Sequence, residues 1–516
     1  MNNSLSPALC SADAFSHPSI PNIEVSSIHA AQVSNVSKYI PEWYYYNHGN
    51  VMAENLNFCN ITVTYKHTAK NDTINVGIFL PSDSWNGRMQ GLGGNGYIAG
   101  LTTTTSYGMM AAAAQGYAAV TTDGGHTSDS PADWALLADG TLDYETIHNF
   151  GSVSLSDAAL IGKSVAESAY GSKPKYSYWT GCSQGGRQGL ELAQRYPDAY
   201  DGIVASAPAT NWPQLTLGGY WAQFVMNQLD EYPYPCQINA ITAAAVSACD
   251  GADGVKDGIL SDPDSCVFDP FTLVGNPVNC SDTKSLVRIS SAAAEVVNST
   301  WTGSRDTQGR FLWYGFNPGT ALTGANNPAT TECANGTCAP SSTQLYDQWA
   351  QVFVEQNLNF TLTNITHPQY EYLFRKSVQQ WNQVFGSNNP DLSQFREAGG
   401  KMLTYQGLMD EVIPPKGIRA YYEAVTADDS GVHDYYRLFE APMMGHCYGS
   451  QGGYPSTMFD SLVAWVESGT APESLPVSYN PEKGKKFDRI LCPYPQRVQY
   501  RGTGNVTSAD SFFCAH

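Results

Sequence analysis

Long hydrophobic runs, basic residues and internal repeats are what this chain of 516 residues lacks. No stretch of about 18 apolar residues occurs, so no segment is expected to span a membrane. Charged residues make up only 14% of the chain, and 27 Lys and Arg stand against 47 Asp and Glu, a formal net charge of −20. That balance argues against nucleic acid, whose phosphates it would repel, and against an anionic membrane surface. The acidity names no substrate; it fits a protein working in mildly acidic surroundings. The opening Met-Asn-Asn-Ser-Leu-Ser-Pro has neither the basic nor the apolar region of a secretory leader. It is read as the start of a mature chain.

What is present points outward from the cell. Twelve cysteines, an even number, suggest disulfides. Asn-x-Ser/Thr sequons occur at Asn2, Asn35, Asn60, Asn71, Asn279, Asn298, Asn335, Asn359, Asn364 and Asn505. Together these predict a secreted glycoprotein. With 42% hydrophobic residues a sizeable core is assured. The length allows two or three average domains, or one α/β domain enlarged by insertion.

Residues 1–70 read as loop-rich, with Cys10 and Cys59 paired. Short strands are expected at 63–65 and 74–80, then a strand at 89–92 breaking into the glycine loop Gly93-Gly94-Asn95-Gly96. A helix at 109–114, a buried strand at 118–122, a helix at 152–170 and a strand at 176–180 follow. Strands alternating with helices imply a parallel sheet covered on both faces. Residues 201–208 continue the sheet, after which the pattern stops. From about Asn211 to Gly399 the text is rich in Asn, Gly, Pro, Trp and Tyr and holds six cysteines. Sheet pattern resumes at 401–407 and 435–439, and 455–468 read as a last amphipathic helix. The expected architecture is an α/β-hydrolase fold, residues 1–208 and 400–516. Residues 209–399 would form a lid beyond the carboxyl ends of the strands, where such sheets bind ligands.

Tyr178-Trp179-Thr180-Gly181-Cys182-Ser183-Gln184-Gly185-Gly186 is a strand running into Gly-x-Ser-x-Gly and then into helix-forming residues. In that context the pattern is a nucleophile elbow, and Ser183 is the candidate nucleophile. Acid and base should follow in the order Asp or Glu, then His. Asp410, just past the strand at 401–407, is the candidate acid, with Glu411 a local rival and Asp434 a distant one. His446, in Gly445-His446-Cys447 after the later strand, is the candidate base. His126 ends a strand and is expected near the cleft, but it precedes the serine. Backbone N–H groups of Gln184 and, from the glycine loop, Gly94 are the expected oxyanion donors. If Ser183 and His446 touch, their neighbours Cys182 and Cys447 fall within disulfide reach. Such a bond would brace the site.

Gly181-Cys182-Ser183-Gln184-Gly185-Gly186-Arg187, the downstream Asp410 and Gly445-His446-Cys447 together resemble the tannase and feruloyl esterase family. Its mark is a Cys-Ser…Asp…His-Cys arrangement with the two cysteines bonded. The resemblance runs from near Arg88 to near Trp465. It implies a structural calcium ion in the lid, held by the carboxylates of Asp250, Asp253 and Asp257 and the carbonyls of Val255 and Ile259. Carboxylates at that spacing, separated by glycine turns, can wrap oxygens around a hard cation. Ser261 stands where an EF-hand would carry its last acid, so the loop is not an EF-hand. Cys249 and Cys266 bracket it and are expected to pair.

The function so implied is a secreted serine carboxylesterase cleaving hydroxycinnamoyl (feruloyl-type) esters of plant cell-wall material. Trp212, Trp221, Trp301, Trp313, Trp349 and Trp381 either suit a phenolic group or simply hold the lid together. Galloyl ester hydrolysis, as by a tannase, is the alternative. Fungal tannases are often cut in the lid at a Lys-Arg pair, and none occurs here. A serine carboxypeptidase-like hydrolase and an inactive carbohydrate-binding relative are more distant readings. The expected partners are a small or polysaccharide-linked phenolic ester, with no nucleic acid and no membrane; a homodimer is left open.

Overall fold

Nine strands form one mixed sheet in the computed structural model, which describes residue 5 and residues 10–341, 343–449, 452–482 and 485–516. They are β1 (Ile23–Ile40), β2 (Val51–His67), β3 (Ile74–Pro81), β4 (Arg88–Leu92), β5 (Ala118–Thr122), β6 (Tyr176–Cys182), β7 (Gly202–Ser206), β8 (Lys401–Gly407) and β9 (Tyr436–Ala441). Their spatial order is β1-β2-β3-β5-β4-β6-β7-β8-β9. From β5 to β9 all neighbours are parallel. The other edge, β1 to β3 and on to β5, is antiparallel.

Helices α1 (Thr103–Ala114), α2 (Ser154–Tyr170) and α3 (Gln184–Arg195) precede the inserted segment. It carries α4 (Trp212–Gly219), α5 (Trp221–Leu229), α6 (Pro235–Cys249), α7 (Ser291–Thr302) and α8 (His367–Phe385); α9 (Pro415–Asp428) and α10 (Met458–Ser468) follow it. Strand alternation divides the core between the two sheet faces. Ala118 and Val120 of β5 pack in the cluster that holds Leu155, Ile161 and Val165 of α2, whereas Ala119 joins Met109 and Ala112 of α1. Leu438 and Phe439 of β9 separate in the same way. Covered on both faces, β5 and β7 are buried along their whole length, as parallel strands of such sheets are.

Residues 23–67 depart from the loop-rich expectation. They form two long paired strands, 18 and 17 residues. The pairing shifts register between Val25 and Ser27, Val33 and Val36, and Val36 and Lys38. Each bulge breaks the two-residue alternation by which a strand is read. β1 is also a sheet edge, with only Ile28 and Ile40 buried, so it carries little hydrophobic signal.

Among the described residues, nothing between Ser206 and Lys401 adds a strand to the nine-stranded sheet. The segment packs around Trp212, Trp349, Phe353, Trp381 and Phe385, in the same cluster as Leu190 of α3 and Ile203 of β7. All twelve cysteines are bonded, including the expected Cys10–Cys59 and Cys249–Cys266. Cys236–Cys280, Cys333–Cys338 and Cys492–Cys514 complete the set. Among the described residues no helix is long and apolar enough to cross a membrane.

Candidate active site

Ser183 joins β6 to α3 at φ 62° and ψ −120°, a conformation that a side-chain-bearing residue rarely adopts. Its neighbours must be small. A Cβ on Gly181 would lie 2.5 Å from the Gly185 backbone, and one on Gly186 would lie 2.3 Å from the Ser206 carbonyl oxygen. The strain is held by the strand and helix on either side, which present the serine at the carboxyl end of the sheet.

Asp410 follows β8 and is fully buried. Its Oδ1 accepts from the amides of Val412 (2.9 Å) and Ile413 (2.8 Å), and its Oδ2 from Gln406 Nε2 at 3.0 Å. His446 Nδ1 donates to the same Oδ2 at 2.9 Å. Glu411, the local rival, accepts instead from the His446 backbone amide at 3.2 Å. Asp434 lies before β9, where its carbonyl accepts from Lys401 Nζ, at the opposite end of the sheet from His446. Burial opposes charging of the His446 ring, but the charge and hydrogen bond of Asp410, with the charge of Glu411, outweigh it. The net effect raises the imidazole above its ordinary 6.5.

Cys182 and Cys447 are bonded, with Cα atoms 5.8 Å apart. The residue before Ser183 is thereby joined to the residue after His446. Ala207 and Tyr46 pack on the bridge, and Tyr405 donates its hydroxyl to the Cys447 carbonyl. His126 does not line the cavity at Ser183; it is buried, stacked on Trp134 with ring centres 4.1 Å apart.

Gln184 is the first residue of α3, where backbone N–H groups have no partner within the helix. Gly94 departs from expectation. Its N–H donates to Gln188 Oε1 at 3.0 Å and so is already engaged rather than turned to an oxyanion. Gln188 Nε2 donates in turn to the Ala99 carbonyl at 2.8 Å. One buried side chain thus pins the glycine loop at two points. Gln188 sits one helical turn past Gln184, and only the fold reveals that it reaches the loop.

A cavity of about 410 Å³ opens at Ser183, of a size suited to a small organic ligand. Tyr97, Val412 and Ile413 contribute from the sheet domain, Trp212, Leu345 and Tyr346 from the insertion. Of the six tryptophans singled out in the sequence, Trp212 alone lines it. Trp349 and Trp381 are core, donating to Ser377 Oγ and the Phe353 carbonyl.

In the 250–259 loop, Asp250 Oδ1 accepts from the amides of Asp257 (3.1 Å) and Gly258 (2.8 Å). Asp253 Oδ1 accepts from Val255 N–H, and Asp257 Oδ1 from Ile259 N–H, each at 3.0 Å. Burial, aided by the charges of Asp257 and Asp250, pushes the Asp253 carboxyl up against its hydrogen bonds from Ser261 and Val255. Oxygen donors under mutual repulsion are chemically suited to a hard dication. Arg489, from the C-terminal hairpin, answers part of that charge, 2.5 Å from Asp257 Oδ2. Among the described residues no three acidic, His or Cys side chains converge as a metal centre.

A predominantly parallel sheet with a strained serine elbow, and an acid and a histidine on loops after later strands, defines an α/β-hydrolase. More closely, residues 59–515 match the description "Tannase and feruloyl esterase", and the chain belongs to that family of carboxylic ester hydrolases. A probable feruloyl esterase of Arthroderma benhamiae is 40% identical over 470 residues, 89% of this chain and 86% of that protein. The solved tannin acyl hydrolase of Aspergillus niger superposes with a TM-score of 0.88 at 27% identity, covering 99% of this chain and 96% of that one. Feruloyl esterase B of Aspergillus oryzae gives 0.80 at 25% identity, over 99% of this chain and 100% of its own.

Proposed function

We propose that the chain is a secreted serine esterase of hydroxycinnamoyl (feruloyl-type) esters, working through Ser183, His446 and Asp410. The His446–Asp410 bond, on a loop tied covalently to the Ser183 elbow, is the observation that carries this reading. His446 Nε2 takes the Ser183 proton as Oγ attacks the ester carbonyl, and returns a proton to the departing alcohol. Asp410 holds the tautomer and stabilises the imidazolium. The Gln184 amide, at the α3 terminus, stabilises the tetrahedral oxyanion. Water then attacks the acyl-enzyme with His446 again as base, releasing the acid and restoring Ser183.

Residues 209–399 serve as a lid domain over a catalytic domain of 1–208 and 400–516, with cavity walls drawn from both. A structural calcium ion would be held by Asp250, Asp253 and Asp257 through carboxylates and by Val255 and Ile259 through carbonyls. It would supply charge neutralisation to the loop rather than chemistry. Six disulfides favour an oxidising, extracellular setting. Of the sequons, Asn2 lies outside the described residues, and all the others except half-buried Asn298 are exposed and open to glycosylation.

The 40% identical relative is named a feruloyl esterase, whereas the tannin acyl hydrolase superposes with the higher score of the two structures above, so galloyl esters stand as the second reading. Parallel assays on methyl ferulate, caffeate, sinapate and gallate and on a peptide test both. Cleavage confined to the peptide would overturn the esterase reading.

A further inference from the structure

The cavity at Ser183 carries a charge asymmetry. Among the described residues that line it there is no Lys, Arg or His, and the one carboxylic acid is Asp129. The remaining polar wall, with Asn326, Thr343, Gln344 and Gln348, is neutral.

The loop holding Asp129 is fixed on both sides. The Ser128 carbonyl accepts from His126 Nδ1 at 3.1 Å, and Ser128 Oγ donates to Asp133 at 2.6 Å. Ser130 donates its amide to Ser128 Oγ at 3.1 Å and accepts from Gln348 Nε2, across the seam with the insertion, at 3.4 Å. Asp129 is exposed at the cavity, and among the described residues its carboxylate has no hydrogen-bond or ionic partner. One anionic acceptor and several neutral polar side chains therefore line a cavity whose other walls are aromatic and aliphatic.

We infer that Asp129 is a specificity-determining residue of this site, accepting a hydrogen bond from a hydroxyl of the substrate and excluding esters that carry a free carboxylate. The favoured class is the uncharged aromatic ester bearing a ring hydroxyl. This rests on the esterase reading above and narrows it. An ionised acceptor forms the stronger hydrogen bond to a phenol, and the same charge penalises an anionic substrate. Selectivity is thus set by repulsion as well as attraction.

The test compares wild type, Asp129→Asn and Asp129→Lys on three methyl esters: ferulate, its ring O-methylated analogue, and monomethyl terephthalate, which carries a carboxylate. Thermal melts of each variant verify folding. Wild type is expected to favour ferulate over the O-methylated ester by about tenfold in kcat/KM, and Asp129→Asn to bring that ratio towards one. Asp129→Lys is expected to raise kcat/KM for monomethyl terephthalate at least about fivefold, a gain that shrinks as salt is added. Because it is a gain, misfolding cannot produce it. If both folded variants keep the wild-type ratios, the Asp129 assignment is wrong while the esterase reading stands. If wild type hydrolyses no ester at all, the esterase reading falls, and the inference with it.

Discussion

His446 Nδ1 donates to Asp410 Oδ2 at 2.9 Å, and that bond leaves Nε2 as the ring nitrogen free to accept a proton. The same pairing raises the imidazole above 6.5. A general base must be neutral, so kcat/KM is expected to fall on the acid side with a midpoint above that of an ordinary histidine. Asp410→Asn should move the midpoint down and cost about 10³–10⁴ in kcat. Stability runs the other way. A raised folded-state value stabilises the native protein fully below about 6.5, and that contribution disappears as pH rises through the folded value. A pH–rate profile with its acid limb below 6.5 would contradict the pairing.

Ser183→Ala is expected to reduce ester hydrolysis by about 10⁵–10⁶ while keeping a cooperative thermal transition. The check is labelling by a serine-directed phosphonate, which should mark the wild type once and leave the variant untouched. Substantial turnover by the alanine variant would require another nucleophile.

Replacing Cys182 and Cys447 together by Ala removes the bridge without leaving a lone thiol. A loss of about 2–5 kcal/mol is expected in denaturant unfolding, with lower kcat as the serine and histidine loops drift apart. An equally stable, fully active double variant would make the bridge incidental.

Gln188→Leu keeps the side-chain volume but deletes both anchors of the glycine loop. The Gly94 amide and Ala99 carbonyl are then left unpaired, at about 1–3 kcal/mol of stability. A fall of about 10–100-fold in kcat, with KM changing much less, would mark Gln188 as a positioning residue. Equal loss from kcat and stability-matched controls would reduce it to packing.

If calcium occupies the 250–259 loop, elemental analysis should return one ion per chain and chelation should lower the melting temperature. Asp253→Asn should abolish both effects. Metal-free protein with an unchanged melt on chelation would leave Arg489 as the loop's cationic partner.

The elbow and the bond between Cys182 and Cys447 were legible because each rests on neighbours in the chain. Gly181, Cys182 and Ser183 are adjacent, and so are His446 and Cys447. What escaped depends on contacts across the fold. The Gly94 amide looks available until Gln188 is seen to reach it from α3. β1 looked like loop because its bulges scramble the alternation. Tryptophan content in the insertion left open whether the rings line a cavity or hold the segment together; Trp349 and Trp381 are buried in its packing. Arg489 gave no sign of reaching Asp257, 232 residues away.

The separation of 265 positions from Cys182 to Cys447 also sets an order of events during synthesis. At about 5–20 residues per second, Cys182 waits roughly 10–50 s for its partner to emerge. Cys236, Cys249, Cys266, Cys280, Cys333 and Cys338 all pass in the meantime, each a competitor for its thiol. The serine elbow is therefore made early and braced late. A truncated product ending between Ser183 and His446 would carry the serine elbow without His446 or the Cys182–Cys447 bridge, so, on the proposed mechanism, a newly made chain gains esterase activity only after most of it has left the ribosome.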